Sequence, residues 1–160
     1  MNEKRMALLE EIWREQNTAY DLMLEYDSLP RRFGDNFLFQ AETNVIRMIA
    51  RYPDITITDM ANILQKSVSA CSQIVRKLCT KNLVEQIRNP ENKRLFNLRL
   101  TQEGWDACRA HAEFEKKCIE RTYQYLSELS EEQLSGALET QKKLNDAYQE
   151  DIRQSREFFM

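Results

Sequence analysis

A chain of 160 residues with 42% hydrophobic content is long enough for one core-bearing domain and too apolar to be disordered. The formal charge of −3 hides a strong asymmetry. Residues 66–100 carry eight Lys or Arg against two acids, whereas residues 1–65 carry seven against eleven and residues 101–160 eight against thirteen. A basic island on an acidic chain is the electrostatic footprint of a phosphate-binding surface.

Other classes are excluded by what is missing. No apolar run reaches the roughly 18 residues of a membrane span. The opening MNEKRMALLEEIW is charged and amphipathic rather than a signal peptide, so a cytoplasmic protein with no membrane partner is expected. Cys71, Cys79, Cys108 and Cys118 form no CxxC pair and are read as free thiols. With His111 the single histidine, no metal site and no cofactor are expected. The chain has no G-x-G-x-x-G, P-loop or G-x-S-x-G, so no enzymatic constellation can be assigned.

Three Gly and three Pro among many Glu, Lys, Gln and Leu favour helix. Met6, Leu9, Ile12/Trp13, Tyr20 and Met23/Leu24 repeat at helical spacing up to Pro30, predicting one long amphipathic helix. A looser connector, Arg31 to Phe39 with Gly34, leads to a short core helix over Ala41 to Arg51 with Val45, Ile46, Met48 and Ile49 inward. Ile55-Thr56-Ile57 alternates like a brief strand, and Thr58 is placed to cap a helix carrying Met60, Ala61, Ile63 and Leu64.

After a turn at Gln65-Lys66, Ser67 or Ser69 can cap a helix whose Cys71, Ile74, Val75 and Leu78 share one face. The opposite face presents Ser69, Ala70, Ser72, Gln73, Arg76 and Lys77, with no acid among them. Asn82 suits a left-handed cap. Leu83 to Arg88 and Leu95 to Leu100 flank the polar loop Asn89-Pro90-Glu91-Asn92-Lys93-Arg94 and read as a hairpin with a basic tip. Helix, turn, helix and hairpin in this order make a winged helix-turn-helix.

Thr101 then caps a long helix toward Leu129, with Trp105, Cys108, Ala112, Ile119 and Leu126 as inward candidates. Ser130-Glu131-Glu132-Gln133 is a capping box. It opens a last helix whose Leu134, Leu138, Gln141, Leu144/Asn145, Tyr148 and Ile152 fall near a seven-residue spacing, suited to packing on another helix.

Leu83-Val84, the Asn89 to Arg94 loop and Leu98-Arg99-Leu100-Thr101-Gln102-Glu103-Gly104 together resemble the corresponding stretch of the MarR family of winged helix-turn-helix regulators. Ser130-Glu131-Glu132 resembles the family's opening of the final helix. The resemblance implies a mostly α fold with a small β-hairpin wing: one domain over 1–160, with a DNA-binding lobe at 40–100 and a helical dimerisation region at 1–39 and 101–160. It implies that Ser69 to Lys77 enter the major groove and that Arg94 is the wing arginine of the minor groove. Asn92 stands where the family commonly has Asp, keeping a hydrogen bond to the arginine but losing an ionic one, and Asn82 stands where it usually has Gly.

The reading is therefore a homodimeric DNA-binding regulator, a repressor occupying an inverted repeat in double-stranded DNA. Arg76, Lys77, Arg88, Lys93 and Arg94 would contact phosphate or groove, while Ser69, Ser72 and Gln73 are short enough to read base edges, with Ala70 on the same DNA-binding face. A small-molecule effector is implied by the resemblance, with Trp13, Tyr20, Met23, Tyr26, Phe37, Phe39 and Trp105 as candidate lining. Cys79, close in sequence to Lys77 and Lys81, is the redox candidate. The alternative is a winged-helix protein-interaction module without operator recognition, which would not need to exclude acids from the second helix's outer face.

Overall fold

The computed structural model describes residues 2–159, and the chain divides into two compact units, Met1–Glu115 and Lys116–Met160. In the first unit, helix α1 (Glu3–Ser28) starts where the Asn2 side chain accepts from the Lys4 amide at 3.1 Å, and it ends just before Pro30. No residue of α1 is buried.

The connector after α1 is more ordered than expected. Strands β1 (Arg31–Phe33) and β2 (Asn36–Leu38) pair antiparallel, with Arg31 opposite Leu38 and Gly34 at φ +59° in the turn. Left-handed backbone at that position suits a residue without Cβ. Leu38 closes the hairpin by burying completely.

Helix α2 (Gln40–Arg51) buries Val45, Ile46 and Ile49, with Met48 packed at the edge of the core. Helix α3 (Ile57–Leu64) begins one turn-step earlier than the sequence suggests. Its cap is Thr56, not Thr58: the Thr56 hydroxyl accepts from the Asp59 amide at 3.2 Å while the Asp59 carboxylate accepts from the Thr56 amide. A reciprocal box satisfies two end donors where Thr58 would satisfy one. The expected strand at Ile55 to Ile57 shrinks to an isolated bridge from Thr56 to Asn97, beside a 2.9 Å bond from the Leu98 amide to the Ile55 carbonyl.

Helix α4 (Val68–Thr80) is capped by Ser67, whose hydroxyl accepts from the Ala70 amide at 3.1 Å. Cys71, Val75 and Leu78 are fully buried and Ile74 packs against them, as the spacing requires. Asn82 adopts the expected left-handed conformation at φ 56°. Strands β3 (Val84–Arg88) and β4 (Phe96–Leu100) form the antiparallel wing, with Val84 opposite Leu100 and Arg88 opposite Phe96. Leu83, Val84, Leu98 and Leu100 anchor it in the core shared by α2, α3 and α4.

Helix α5 (Gln102–Leu126) is capped by Thr101, whose hydroxyl accepts from the Gly104 amide at 3.0 Å and donates to the Asn82 carbonyl at 2.7 Å. Its inward residues differ from the expected set. Gly104, Ala107 and His111 are buried and Cys108 is half-buried, whereas Trp105, Ala112, Ile119 and Leu126 are exposed. The close approach of α5 to Leu83 and Leu100 at the base of the wing admits only glycine at 104, and the buried face continues through Ala107 and His111. Helix α6 (Glu131–Phe159) opens with the expected capping box, Ser130 and Gln133 exchanging bonds of 2.8 and 3.2 Å. Of its seven-residue series only Leu144 and Tyr148 are partly covered.

His111 is buried, with neither ring nitrogen hydrogen-bonded among the described residues. Its ring meets Phe33 edge-on at a centroid distance of 5.8 Å. Burial holds its pKa below the usual 6.5, against the pull of the Glu115 carboxylate, whose oxygen lies 3.6 Å away. The unfolded chain therefore takes up the proton first as pH falls. Stability is expected to decline below about pH 6.5 and to level off once the folded imidazole is also protonated. Urea midpoints compared between about pH 7 and 5 should show that loss reduced in His111→Gln. An unchanged pH dependence would assign it to other groups.

Candidate nucleic-acid interface

Burial of the Cys71, Val75 and Leu78 stripe leaves the opposite side of α4 facing solvent. Ser69, Gln73, Arg76 and Lys77 are exposed there, and Ala70 and Ser72 are half-exposed. With Ser67 satisfying an end amide, the first turn of the helix presents small polar side chains beside the remaining amides, an arrangement that favours negative charge.

The wing loop between β3 and β4 is built by asparagines. Asn89 Oδ1 accepts from the amides of both Glu91 and Asn92 at 2.9 Å, and the Asn89 amide nitrogen donates to the side-chain oxygen of Asn97 at 2.9 Å. Asn97 is itself 7% exposed and stands on the strand residue bridged to Thr56. The loop is thus tied to the base of α3 through one buried amide. Asn97 escaped the sequence reading, although an Asn between Phe96 and Leu98 in a β-prone run was the available signal.

Asn92 takes a different role from the one the resemblance suggests. Its side-chain oxygen accepts from the Arg94 backbone amide at 3.1 Å, not from the guanidinium. The side chain fixes the turn in the manner of an Asx motif, and the Arg94 guanidinium is left to project.

Two cations of the basic island are committed elsewhere. Lys81 Nζ donates to Glu42 at 2.6 Å and to the Phe37 carbonyl at 2.8 Å. Arg99 Nε meets Asp54 at 2.7 Å, which holds the Asp54 carboxyl below its usual pKa. Arg88 is partly engaged, over the Phe96 ring at 5.6 Å and bonded to the Lys93 carbonyl at 3.5 Å. Lys66, Arg76, Lys77, Lys93 and Arg94 form no ion pair with the described residues. Unpaired cations on the helix and the wing of one lobe can bind a polyanion without first breaking internal pairs.

The candidate effector residues are all exposed: Trp13, Tyr20, Met23, Tyr26, Phe37, Phe39 and Trp105. Tyr26 receives the Arg31 guanidinium over its ring at 4.1 Å. Cys79 is half-buried, with the Gln86 amide nitrogen 3.8 Å from its sulfur. Among the described residues no group of three or more His, Cys, Asp and Glu is arranged to hold a metal ion. No helix among them is long and apolar enough to cross a membrane.

Comparison with known proteins agrees with this geometry. A family model described as MarR family matches residues 39–95, the segment from α2 to the wing tip. No curated protein matches the chain in sequence. Among solved structures it is similar to Streptococcus pneumoniae FabT in complex with DNA, at 23% identity and a TM-score of 0.65, covering 92% of this chain and 99% of that one. It is also similar to a zinc-responsive MarR family member, Lactococcus lactis ZitR, at 15% identity and a TM-score of 0.74, covering 88% and 99%. A MarR/EmrR family transcriptional regulator from Acinetobacter sp. ADP1 gives 24% identity and a TM-score of 0.56, covering 94% and 99%. At these identities the likeness shows the fold.

Proposed function

We propose, from the match of residues 39–95 to a MarR family model, that this chain is a regulator of that family: a homodimeric repressor that occupies an inverted repeat in promoter DNA and answers to a small-molecule effector. The observation that carries the reading is the pairing of a carboxylate-free face on α4 with a wing whose Arg94 guanidinium has no ion-pair partner among the described residues. Arg76, Lys77, Arg88 and Lys93 supply phosphate contacts, and Arg94 reaches the minor groove beside the major-groove site of α4. Ser69, Ser72 and Gln73 carry the sequence preference, with Ala70 beside them on the DNA-facing side.

The exposed apolar residues of the long helices support a homodimer. Leu9, Trp13, Tyr20, Met23 and Leu24 on α1 are each 45% or more exposed, as are Leu138 and Ile152 on α6. A soluble protomer rarely leaves such stripes uncovered. A twofold pairing would set two α4 helices about 34 Å apart, one DNA turn. In that assembly Trp13, Tyr20, Met23, Tyr26, Phe37, Phe39 and Trp105 become the surface that a partner helix or an effector covers.

The test is fluorescence anisotropy with a labelled fragment from upstream of the protein's own coding region, titrated against salt and unrelated competitor DNA. Competitor-resistant binding with a steep salt slope is expected. Arg94→Ala is expected to weaken binding by about 1–3 kcal/mol and to flatten the salt slope, while Gln73→Ala relaxes base preference by a similar amount. Both variants binding like wild type would remove the proposed interface. No binding at low salt would shift the reading to a protein-interaction module.

A further inference from the structure

Asn97 stands in β4 opposite Ile87, between the apolar Phe96 and Leu98, and is buried. A buried amide costs free energy unless its oxygen and its nitrogen both find partners. Those partners lie on opposite sides. The oxygen accepts from Asn89 Nδ2 in the wing loop. Asn97 and Arg99 alternate onto one face of the strand, and both reach Asp54 in the turn between α2 and α3, left-handed there at φ 62°. Arg99 is the main cause of the lowered Asp54 pKa, and a hydrogen bond from the Asn97 side chain adds to it.

The orientation of both amides is dictated by their partners. Asn89 Oδ1 already accepts from the Glu91 and Asn92 backbone amides, so its nitrogen is what remains for Asn97. Asn97 must then turn its oxygen to Asn89 and its nitrogen to Asp54, because a carboxylate cannot donate. Flipping either amide breaks bonds at both of its ends. The series runs from the α2–α3 turn through β4 to the amides that shape the loop, and Asn92 Oδ1 carries it to the Arg94 amide.

The apolar anchors of the wing, Leu83, Val84, Leu98 and Leu100, lie toward its base. At the tip, the bonds from the Asn89 amide to the Leu95 carbonyl and from the Leu95 amide to the Asn92 carbonyl close the loop on itself. Its direction is left to the side-chain series. We propose that Asn97 is a positioning residue for the wing, aiming the loop and with it the Arg94 guanidinium relative to α4. The consequence for DNA rests on the regulator reading, while the ordering of the loop does not. The role is separable from stability, because an apolar residue of similar shape removes the buried polar group together with its desolvation cost. Asn89, half-buried, can then turn to water.

The test uses the full-length protein with Asn97→Leu. Backbone ¹⁵N relaxation is expected to show the amides of Glu91, Asn92 and Arg94 loosened, with those of Ser69 and Gln73 unchanged. Loop amides as rigid as in the wild type would overturn the proposal. Anisotropy supplies a readout that a merely structural residue would not give. Asn97→Leu should weaken DNA binding about threefold to thirtyfold in the wild-type background and less than about twofold in Arg94→Ala, where the side chain it serves is gone. It should keep its full effect in Gln73→Ala. A loss undiminished in Arg94→Ala would overturn the positioning role. Asn97→Asp keeps the shape but sets a carboxylate beside Asp54, and should weaken binding too. Adding Asp54→Asn reverses the polarity of the pair at unchanged net charge and should restore affinity to within about threefold of wild type. A swap no better than Asn97→Asp alone would also overturn the role, and this pair decides the matter if Asn97→Leu folds poorly. Wild-type protein that binds no DNA would sink the regulator reading instead, and the loop relaxation would then decide for or against Asn97 by itself.

Discussion

Gly104→Ala is expected to destabilise the protein by about 2–4 kcal/mol and to weaken DNA binding, although alanine is the better helix former by about 1 kcal/mol. Gly104 lies in the first turn of α5. A Cβ there would sit 2.0 Å from the Leu83 carbonyl oxygen, 3.0 Å from its carbon and 3.2 Å from the Leu100 Cβ. The obstacle is backbone, and it is already pinned. The Leu83 carbonyl accepts from the Thr101 amide at 3.2 Å, and the Leu83 amide donates to the Leu78 carbonyl at 3.0 Å. Relief therefore requires moving the junction that carries α4 into the wing, or tilting α5 away from it. Gly136 provides the control, because nothing lies within 4 Å of a Cβ there, in the second turn of α6. Gly136→Ala should stabilise by about 0.5–1 kcal/mol. Urea midpoints of the two variants test the contrast, and a Gly104→Ala protein as stable as wild type would refute the close approach.

The same close approach explains where the sequence was readable and where it misled. The α4 face was legible because its inward positions, Cys71, Val75 and Leu78, are apolar and its outward ones polar, so periodicity and burial coincide. In α5 they do not coincide. Trp105, Ile119 and Leu126, with Ala112, lie at seven-residue spacing and looked inward, but the Leu83 backbone admits only glycine at 104, and the buried face continues through Ala107 and His111. The true inward face then carries a weaker hydrophobic signal than the exposed one. The β1–β2 hairpin was illegible for a different reason: two three-residue strands around Gly34 are too short for an alternation to register. Charge was readable as a total and not as a partition. Nothing local to Lys81 or Arg99 marks them as partners of Glu42 and Asp54, residues 39 and 45 positions away in sequence. Only the fold separates them from the cations left on the surface.

Glu42→Ala is expected to cost about 2–4 kcal/mol, because the carboxylate serves two elements at once. Its Oε2 accepts from the Phe39 amide at 2.9 Å and caps α2, and its Oε1 accepts from Lys81 Nζ at 2.6 Å. Glu42 is 4% exposed, so alanine leaves the Lys81 ammonium, just beyond the end of α4, with the Phe37 carbonyl as its remaining protein partner. Glu42→Gln retains an acceptor for the cap and should lose less. Removing the ammonium as well, in Glu42→Gln with Lys81→Met, should recover part of the loss, since most of the cost of breaking a buried pair lies in the charge left behind. A double-mutant cycle by urea denaturation is therefore expected to give a coupling of about 1–3 kcal/mol. Additive single effects would show that the pair contributes nothing beyond its separate solvation. The functional consequence runs through geometry, because this pair ties the C-terminal end of α4 to α2 and the β1–β2 hairpin. DNA affinity of Glu42→Ala, measured where the protein remains folded, should fall although Glu42 lies off the proposed interface, while the salt slope should stay that of the wild type because no phosphate contact has been removed.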